Sequence, residues 1–291
     1  MKLKHTGERM MPKFDKGKLF YYEHIARYLF ASQFIKDKVV LDIACGEGYG
    51  CNLLIRNGAK NIVGIDKSQE VIDHAQNKYK DKKLKFICAN AEKIPLPNNK
   101  FDIVVSFETI EHLKDQKKFL DEISRVLNPK GMIIISTPNK RVSKANNSYH
   151  TKELFPGELS KLISEKFKFI RIYYQDNAFA NYVYSDDTFS AKYESGIATT
   201  STEIKSKVTN MFKLKATNNL YTICVASNRK LSNIHNSLTI FDPTVPNMIN
   251  EYIVLLDQKE KELSNIYNSR RWKIASFLYK MRSKIPIIRN L

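Results

Sequence analysis

Tryptophan, cysteine and long apolar runs are scarce in this sequence, and acids are outnumbered by bases. The four cysteines, Cys45, Cys51, Cys88 and Cys224, lack the paired spacing of a zinc knuckle or a disulfide framework. Reduced buried thiols are expected, with neither metal nor redox chemistry arising from them. No apolar run approaches the roughly 18 residues needed to span a bilayer. The opening Met1-Lys2-Leu3-Lys4-His5 lacks the apolar core of a secretion signal, so the expected compartment is the cytoplasm.

Hydrophobic residues at 43% and charged residues at 27% of 291 describe an ordinary globular chain, large enough for one domain with extensions or two small ones. The balance of 48 Lys+Arg against 30 Asp+Glu, a net +18, favours polyanions: nucleic acid, anionic lipid or phosphorylated carriers. That excess is sharpest at the end. From Ser264 to Leu291 the bases Arg270, Arg271, Lys273, Lys280, Arg282, Lys284 and Arg289 meet no acid.

The spacing predicts a helix over residues 19–36, then strands at 39–43, 62–66, 84–88, 103–107 and 132–137. Helices at 50–57, 68–79 and 116–127 alternate with them. Strand and helix in alternation imply right-handed crossovers and a mostly parallel sheet covered on both faces, an α/β doubly wound fold. Two late strands, 167–174 and 220–226, fit an antiparallel edge hairpin. Between them about 175–217 carries Phe179, Tyr182, Tyr184, Phe189 and Tyr193, an insertion read either as a binding loop or lid or as a mobile excursion. Residues 1–35 form an arm and helix, 36–227 the main domain, 228–246 a linker and 247–291 a helical tail.

The most informative segment is Val39-Val40-Leu41-Asp42-Ile43-Ala44-Cys45-Gly46-Glu47-Gly48-Tyr49-Gly50, an apolar strand that ends in an acid and enters a glycine turn. Its Gly46-x-Gly48-x-Gly50 spacing departs from the Gly-x-Gly-x-x-Gly of a nicotinamide site. An anion at Asp42 suits the cationic amino-acid end of S-adenosylmethionine better than a pyrophosphate. Asp66 closes the second strand, where an acid can accept both ribose hydroxyls of a nucleoside.

With Asn90-Ala91-Glu92, Ile94-Pro95-Leu96-Pro97, Phe101-Asp102-Ile103-Val104-Val105-Ser106 and Val126-Leu127-Asn128-Pro129-Lys130-Gly131-Met132, the chain resembles the class I S-adenosylmethionine-dependent methyltransferases. The branch it resembles most includes ubiquinone-type and small-molecule enzymes, and the likeness is firm over about residues 36–140. It implies a seven-stranded Rossmann-like sheet with S-adenosyl-L-methionine as cofactor. Asp42, Ala44, Gly46 and Gly48 would hold the methionine portion, Asp66 and Lys67 the ribose, Asn90 and Ala91 the adenine, and Phe107 would wall the site. Asn90 replaces the family's acid, so an amide oxygen would meet the adenine amino group.

After the fourth strand stands Ser106-Phe107-Glu108-Thr109, not the Asn/Asp-Pro-Pro-aromatic element of exocyclic-amine methyltransferases, and no Pro-Cys nucleophile of the cytosine-C5 type appears. Glu108-Thr109-Ile110-Glu111-His112 resembles the Glu-x-x-Glu-His element of certain metal-dependent O-methyltransferases, which implies Glu108, Glu111 and His112 as ligands of magnesium or manganese. The alternative is a cap or pocket wall that binds no metal. Catalytic roles fall to Glu111, His112 and His150, the last as a fourth ligand or a general base.

The arm Thr6-Gly7-Glu8-Arg9-Met10 resembles the opening of methyltransferases encoded among bacterial surface-glycan functions, and suits a lid over the cofactor or a frayed terminus. In the tail, Ile274, Phe277, Leu278, Met281 and Ile285 share a helical face opposite the bases, with Trp272 near its start. Such a helix can lie on an anionic membrane, bind a partner helix or pack back on the domain; the first two are preferred, which would make the protein peripheral at the inner face of the cell membrane. Ser269-Arg270-Arg271-Trp272-Lys273-Ile274 also resembles the endings of some glycan-assembly transferases. The expected reaction is O-methylation of a sugar hydroxyl in a polysaccharide or lipid-linked glycan. The alternatives are a quinone-like or other small hydroxylated metabolite, RNA, and a non-catalytic scaffold. Nucleic acid is disfavoured by the absence of a recognisable RNA-binding module.

Overall fold

The computed structural model describes residues 9–16, 18–143, 147–177, 192–194, 197–199, 219–231, 240–241, 268–269 and 272. The chain divides into two units. One comprises Met1–Lys16 and Phe20–Asp242; the other comprises Gly17–Leu19 and Pro243–Leu291.

The first unit is built on strands β1 (Val39–Ile43), β2 (Asn61–Asp66), β3 (Leu84–Cys88), β4 (Phe101–Phe107), β5 (Leu127–Pro138), β6 (Phe169–Gln175) and β9 (Tyr221–Ser227). Their order across the sheet is β3-β2-β1-β4-β5-β9-β6. Neighbours from β3 to β5 are parallel, whereas β9 runs antiparallel to both β5 and β6. The late pair is thus antiparallel as expected, and β9 enters between β5 and the edge strand β6. Three short strands, β7 (Lys192–Glu194), β8 (Ile197–Thr199) and β10 (Ile240–Phe241), form a separate antiparallel sheet. Its first two strands come from the expected insertion and β10 from the stretch read as a linker. The insertion aromatics Phe179, Tyr182, Tyr184 and Phe189 lie outside the described residues.

Alternation along the strands sends successive side chains to opposite faces. Leu41, Ile43, Ile65, Ile133 and Ile135 pack under α5 (Gln116–Val126) and α6 (Pro156–Ser164), through Phe119, Leu120, Ile123, Leu159 and Ile163. Val40, Ile62, Ile103, Val105 and Ile134 pack under α2 (Leu19–Ala31), α3 (Tyr49–Arg56) and α4 (Gln69–Lys78), through Tyr28, Phe30, Cys51, Leu54 and Ile72. Both faces are covered, which is why the central strands read as nearly continuous apolar runs. A short helix, α1 (Pro12–Asp15), precedes α2.

Two expectations are corrected here. The first helix was expected to reach residue 36 but stops at Ala31; both the Ser32 amide and its hydroxyl donate to the Tyr28 carbonyl, at 2.9 Å each, and Lys36 then bridges to Ala59. Helix α6 was not anticipated, although Pro156 at its first turn and the Leu159, Leu162, Ile163 spacing mark it.

In the second unit the described residues are Lys18, Leu19, Asn268, Ser269 and Trp272. The Trp272 amide donates to Ser269 Oγ at 3.1 Å, and the rest of the expected tail helix lies outside the described residues. Among the described residues no helix is long and apolar enough to cross a membrane.

Phe119 is fully buried on the α5 side of the sheet. Phe119→Ala should cost about 3–5 kcal/mol of stability by leaving a cavity, read as a lower urea midpoint with an unchanged slope.

Candidate active site

The parallel strands all end at one edge of the sheet, the edge where open α/β sheets bind ligands. From Asp42 the chain turns through Ala44-Cys45-Gly46-Glu47-Gly48 into α3. Ala44, Gly46 and Gly48 all have positive φ, at 59°, 55° and 86°. A Cβ on Gly48 would also lie 2.7 Å from the Phe86 ring, so glycine is required there by backbone and by contact. Glu47 is buried beneath the turn, where Lys78 Nζ donates to it at 2.6 Å and His74 Nε2 lies at 3.1 Å. These contacts fasten the turn to α4.

Asp42 is fully buried. Tyr28 Oη lies 3.3 and 3.1 Å from its two oxygens, and Cys51 Sγ donates to Oδ2 at 3.2 Å. Burial pushes its carboxyl up to about 7, against the opposing pull of the Cys51 and Tyr28 hydrogen bonds. Tyr28 reaches this acid across Gly50, where a Cβ would sit only 2.0 Å from the phenol ring. The Tyr28 ring meets Phe107 and Tyr49 edge-on, with centroids 4.9 and 5.4 Å apart. The acid expected to meet the amino end of the donor is therefore enclosed by an aromatic group from α2.

Asp66 closes β2 and is oriented by two amides. Gly46 N donates to Oδ2 at 3.1 Å and Ser68 N to Oδ1 at 3.0 Å, while Arg9 Nη2 lies 3.9 Å from Oδ1. Lys67 and Asn90 are exposed and Ala91 is half-buried at the same edge. The Asn90 amide oxygen accepts from Glu92 N at 2.8 Å, leaving a second lone pair for another donor.

Beyond β4, the expected placement of Glu108 together with Glu111 and His112 is not what the structure shows. Glu108 takes φ 50° and stands outside the short 3₁₀ turn Ile110–His112. Its carboxylate accepts from Ser136 Oγ at 2.6 Å and lies 3.9 Å from Arg27 Nη1. Glu111, His112 and His150 instead come together, each offering one ligand atom within 4.8 Å of the others. Glu111 is fully buried; Thr137 Oγ1 donates to its Oε2 at 3.0 Å, and its Oε1 has no hydrogen-bond partner among the described residues. Burial and then the nearby Glu108 charge hold its carboxyl well above the ordinary range.

The two imidazoles are held by different partners. His112 Nδ1 lies 3.0 Å from the Tyr149 carbonyl, which accepts only, so Nδ1 carries the proton and Nε2 is the basic nitrogen. That Nε2 faces Glu111 Oε1 at 3.9 Å. His150 has both nitrogens engaged: Nδ1 with Glu153 Oε1 at 2.5 Å and Nε2 with Asn147 Nδ2 at 2.9 Å. The Tyr149 amide holds Asn147 Oδ1, so the Asn147 amino group must be the one facing His150.

Several contributors escaped sequence reading: Tyr28, Ser136, Thr137 and the fully buried Arg27. Arg27 donates to Gln175 Oε1 at 2.9 Å and lies over the Tyr221 ring, 4.4 Å from its centroid. Its neighbour Glu23 accepts from Tyr221 Oη at 2.7 Å and Asn177 Nδ2 at 2.5 Å. Helix periodicity marked α2 as amphipathic, yet a buried Arg and Glu on its inner face carry no signal in that pattern.

Residues 41–135 match the family model described as a methyltransferase domain. The strand order and the glycine turn agree with that match. Among curated proteins the chain is similar to a probable S-adenosylmethionine-dependent methyltransferase of Mycobacterium tuberculosis, at 34% identity over 163 residues, 54% of this chain and 58% of that relative. A ubiquinone biosynthesis O-methyltransferase of Bradyrhizobium diazoefficiens is 38% identical over 104 residues, 35% of this chain and 40% of its own. The chain thus spans little more than half the length of these relatives at most. In fold it is similar to a chain of the complex between the Haloferax volcanii Trm112 methyltransferase activator and a methyltransferase. That match has a TM-score of 0.55 at 16% identity and covers 75% of this chain and 95% of that one.

Asp42 supplies a pH test. The unfolded chain releases this proton near ~3.9, whereas the folded carboxyl keeps it to about 7. Its contribution to stability is therefore full below the unfolded value and is lost as pH rises through about 7. Asp42→Asn should gain stability relative to the unaltered chain as pH rises from about 5 to about 7, the difference levelling off above that. Urea midpoints across this range check it, and a pH-independent difference would contradict the assignment.

Proposed function

We propose that the protein transfers the methyl group of S-adenosylmethionine to a hydroxyl oxygen, with a sugar hydroxyl of a surface-glycan precursor as the acceptor. The observation that carries the hydroxyl chemistry is the buried Glu111 carboxyl facing the basic nitrogen of His112 at the sheet edge, just beyond the Glu108–Ser136 contact. Support for a sugar comes from the Thr6-Gly7-Glu8-Arg9-Met10 opening and the Ser269-Arg270-Arg271-Trp272 stretch. A quinol-type acceptor is the second reading, favoured by the similarity to a ubiquinone biosynthesis O-methyltransferase.

In this mechanism the glycine turn and Asp66 hold the donor, and Tyr28 with Phe107 forms an aromatic wall. The acceptor oxygen attacks the sulfonium methyl in line; the C–S bond breaks as the C–O bond forms, and S-adenosylhomocysteine leaves. The hydroxyl proton passes to His112 Nε2, with protonated Glu111 donating a hydrogen bond that fixes the acceptor. His150, committed to Glu153 and Asn147, braces the His112 ring, whose centroid lies 4.9 Å away. Carboxylate oxygen and imidazole nitrogen also suit magnesium or manganese. Glu111 and His112 would hold such an ion, which would acidify the acceptor hydroxyl. The basic C-terminal stretch 264–291 would bring the protein to an anionic membrane carrying a lipid-linked acceptor.

The test is transfer of labelled methyl groups into source-cell extract separated into glycan and glycolipid, small-molecule, RNA and protein fractions. Label in the glycan fraction is expected; label confined to the small-molecule fraction selects the second reading. With the acceptor in hand, His112→Ala should lower kcat by about a hundredfold with donor affinity unchanged. Full activity after chelation, with no gain on restoring magnesium or manganese, would leave Glu111 and His112 with the acid–base roles alone.

A further inference from the structure

The first described residues form a strap across the donor edge. Met10 and Met11 are buried, Met11 packs on Val71 of α4, and the Met11 amide donates to Asp15 Oδ2 at 2.7 Å. One residue upstream of this anchor, the Arg9 side chain crosses the glycine turn. Its Cγ and Cδ lie 3.6 Å from where a Gly46 Cβ would stand. Its guanidinium ends 3.9 Å from Asp66 Oδ1, its sole polar contact among the described residues. Asp66 needs no such partner, because the Gly46 and Ser68 amides already orient both its oxygens.

Charge around the turn shows what Arg9 is for. S-adenosylmethionine carries a sulfonium, an ammonium and one carboxylate, and the carboxylate must approach an edge that carries the acid Asp66, with Asp42 buried nearby. A cation beside Gly46 would offset that repulsion. Lys78 and His74, which fasten this turn to α4, are committed to Glu47 at 2.6 and 3.1 Å. We infer that Arg9 is a donor-positioning residue that takes the methionine carboxylate of the donor, exchanging its long contact with Asp66 for a charge-assisted hydrogen bond as the ribose hydroxyls engage Asp66. This inference rests on the donor reading above. It assigns to the N-terminal strap the sensing of the amino-acid half of the cofactor.

Two ligands separate that role from general support of the pocket. S-adenosylhomocysteine carries the carboxylate, and 5′-methylthioadenosine keeps the adenosine but lacks the amino-acid group. Titration calorimetry on the full chain should show Arg9→Ala weakening S-adenosylhomocysteine about tenfold or more while 5′-methylthioadenosine changes by less than about twofold. Arg9→Lys should recover part of the loss, since it keeps the charge but not the fork. Equal weakening of both ligands would reduce Arg9 to a structural strap and overturn the inference. Tightening of both would make it an occluding group and overturn the inference equally. If the unaltered chain binds neither ligand, the donor reading itself fails and takes this inference with it.

Discussion

A carboxylate buried at the end of the central strand is the constraint on which the arrangement of the site depends. Asp42 cannot be left alone in an apolar interior, because an ion without partners there costs several kcal/mol, of order ~2–7 even for a neutral polar group. Tyr28 and Cys51 meet that demand from two helices, α2 and α3. Tyr28 can approach only because residue 50 has no side chain, and its ring then supports Phe107 at the end of β4. One acid therefore draws α2 over the sheet edge and fixes the Tyr28 and Phe107 rings beside the glycine turn.

The same helix carries a second layer of buried charge. Arg27 and Glu23 face Glu108, Gln175, Asn177 and Tyr221, which come from β4, β6 and β9 and the residues that follow them. Glu108 is held by Ser136 and Arg27, and its charge adds to burial in raising the Glu111 carboxyl above its ordinary range. The Asp42 and Glu108 carboxyl groups are thus linked through consecutive residues of α2, Tyr28 and Arg27.

The sheet was legible in the sequence because its strands are short apolar runs that end in telling residues. Asp42, Asp66 and the glycines stand where these runs end, and the structure puts Gly46 and Gly48 at positive φ there. The acceptor side was only half legible. Glu108, Glu111 and His112 are adjacent in sequence, but a left-handed backbone at Glu108 turns its carboxylate toward Ser136 and removes it from the group that His150 joins. A one-residue change of backbone region leaves no trace in periodicity. Tyr28 was equally hidden: its partner Asp42 lies across the fold, and its residue type is not distinctive for the place it takes.

Placing β9 antiparallel between β5 and β6 returns the chain to the edge it has just left. Asp176 and Asn219 clasp the two ends of that excursion through their side chains, and Asp176 also accepts from the Leu220 amide at 3.1 Å. Asp176 and Asn219 are therefore joined by side-chain contact where β6 ends and β9 begins. Doubling the length of such a closed segment costs only about 0.6 kcal/mol in chain entropy. A change of length between these two anchors is thus compatible with an unchanged pairing of β6 and β9.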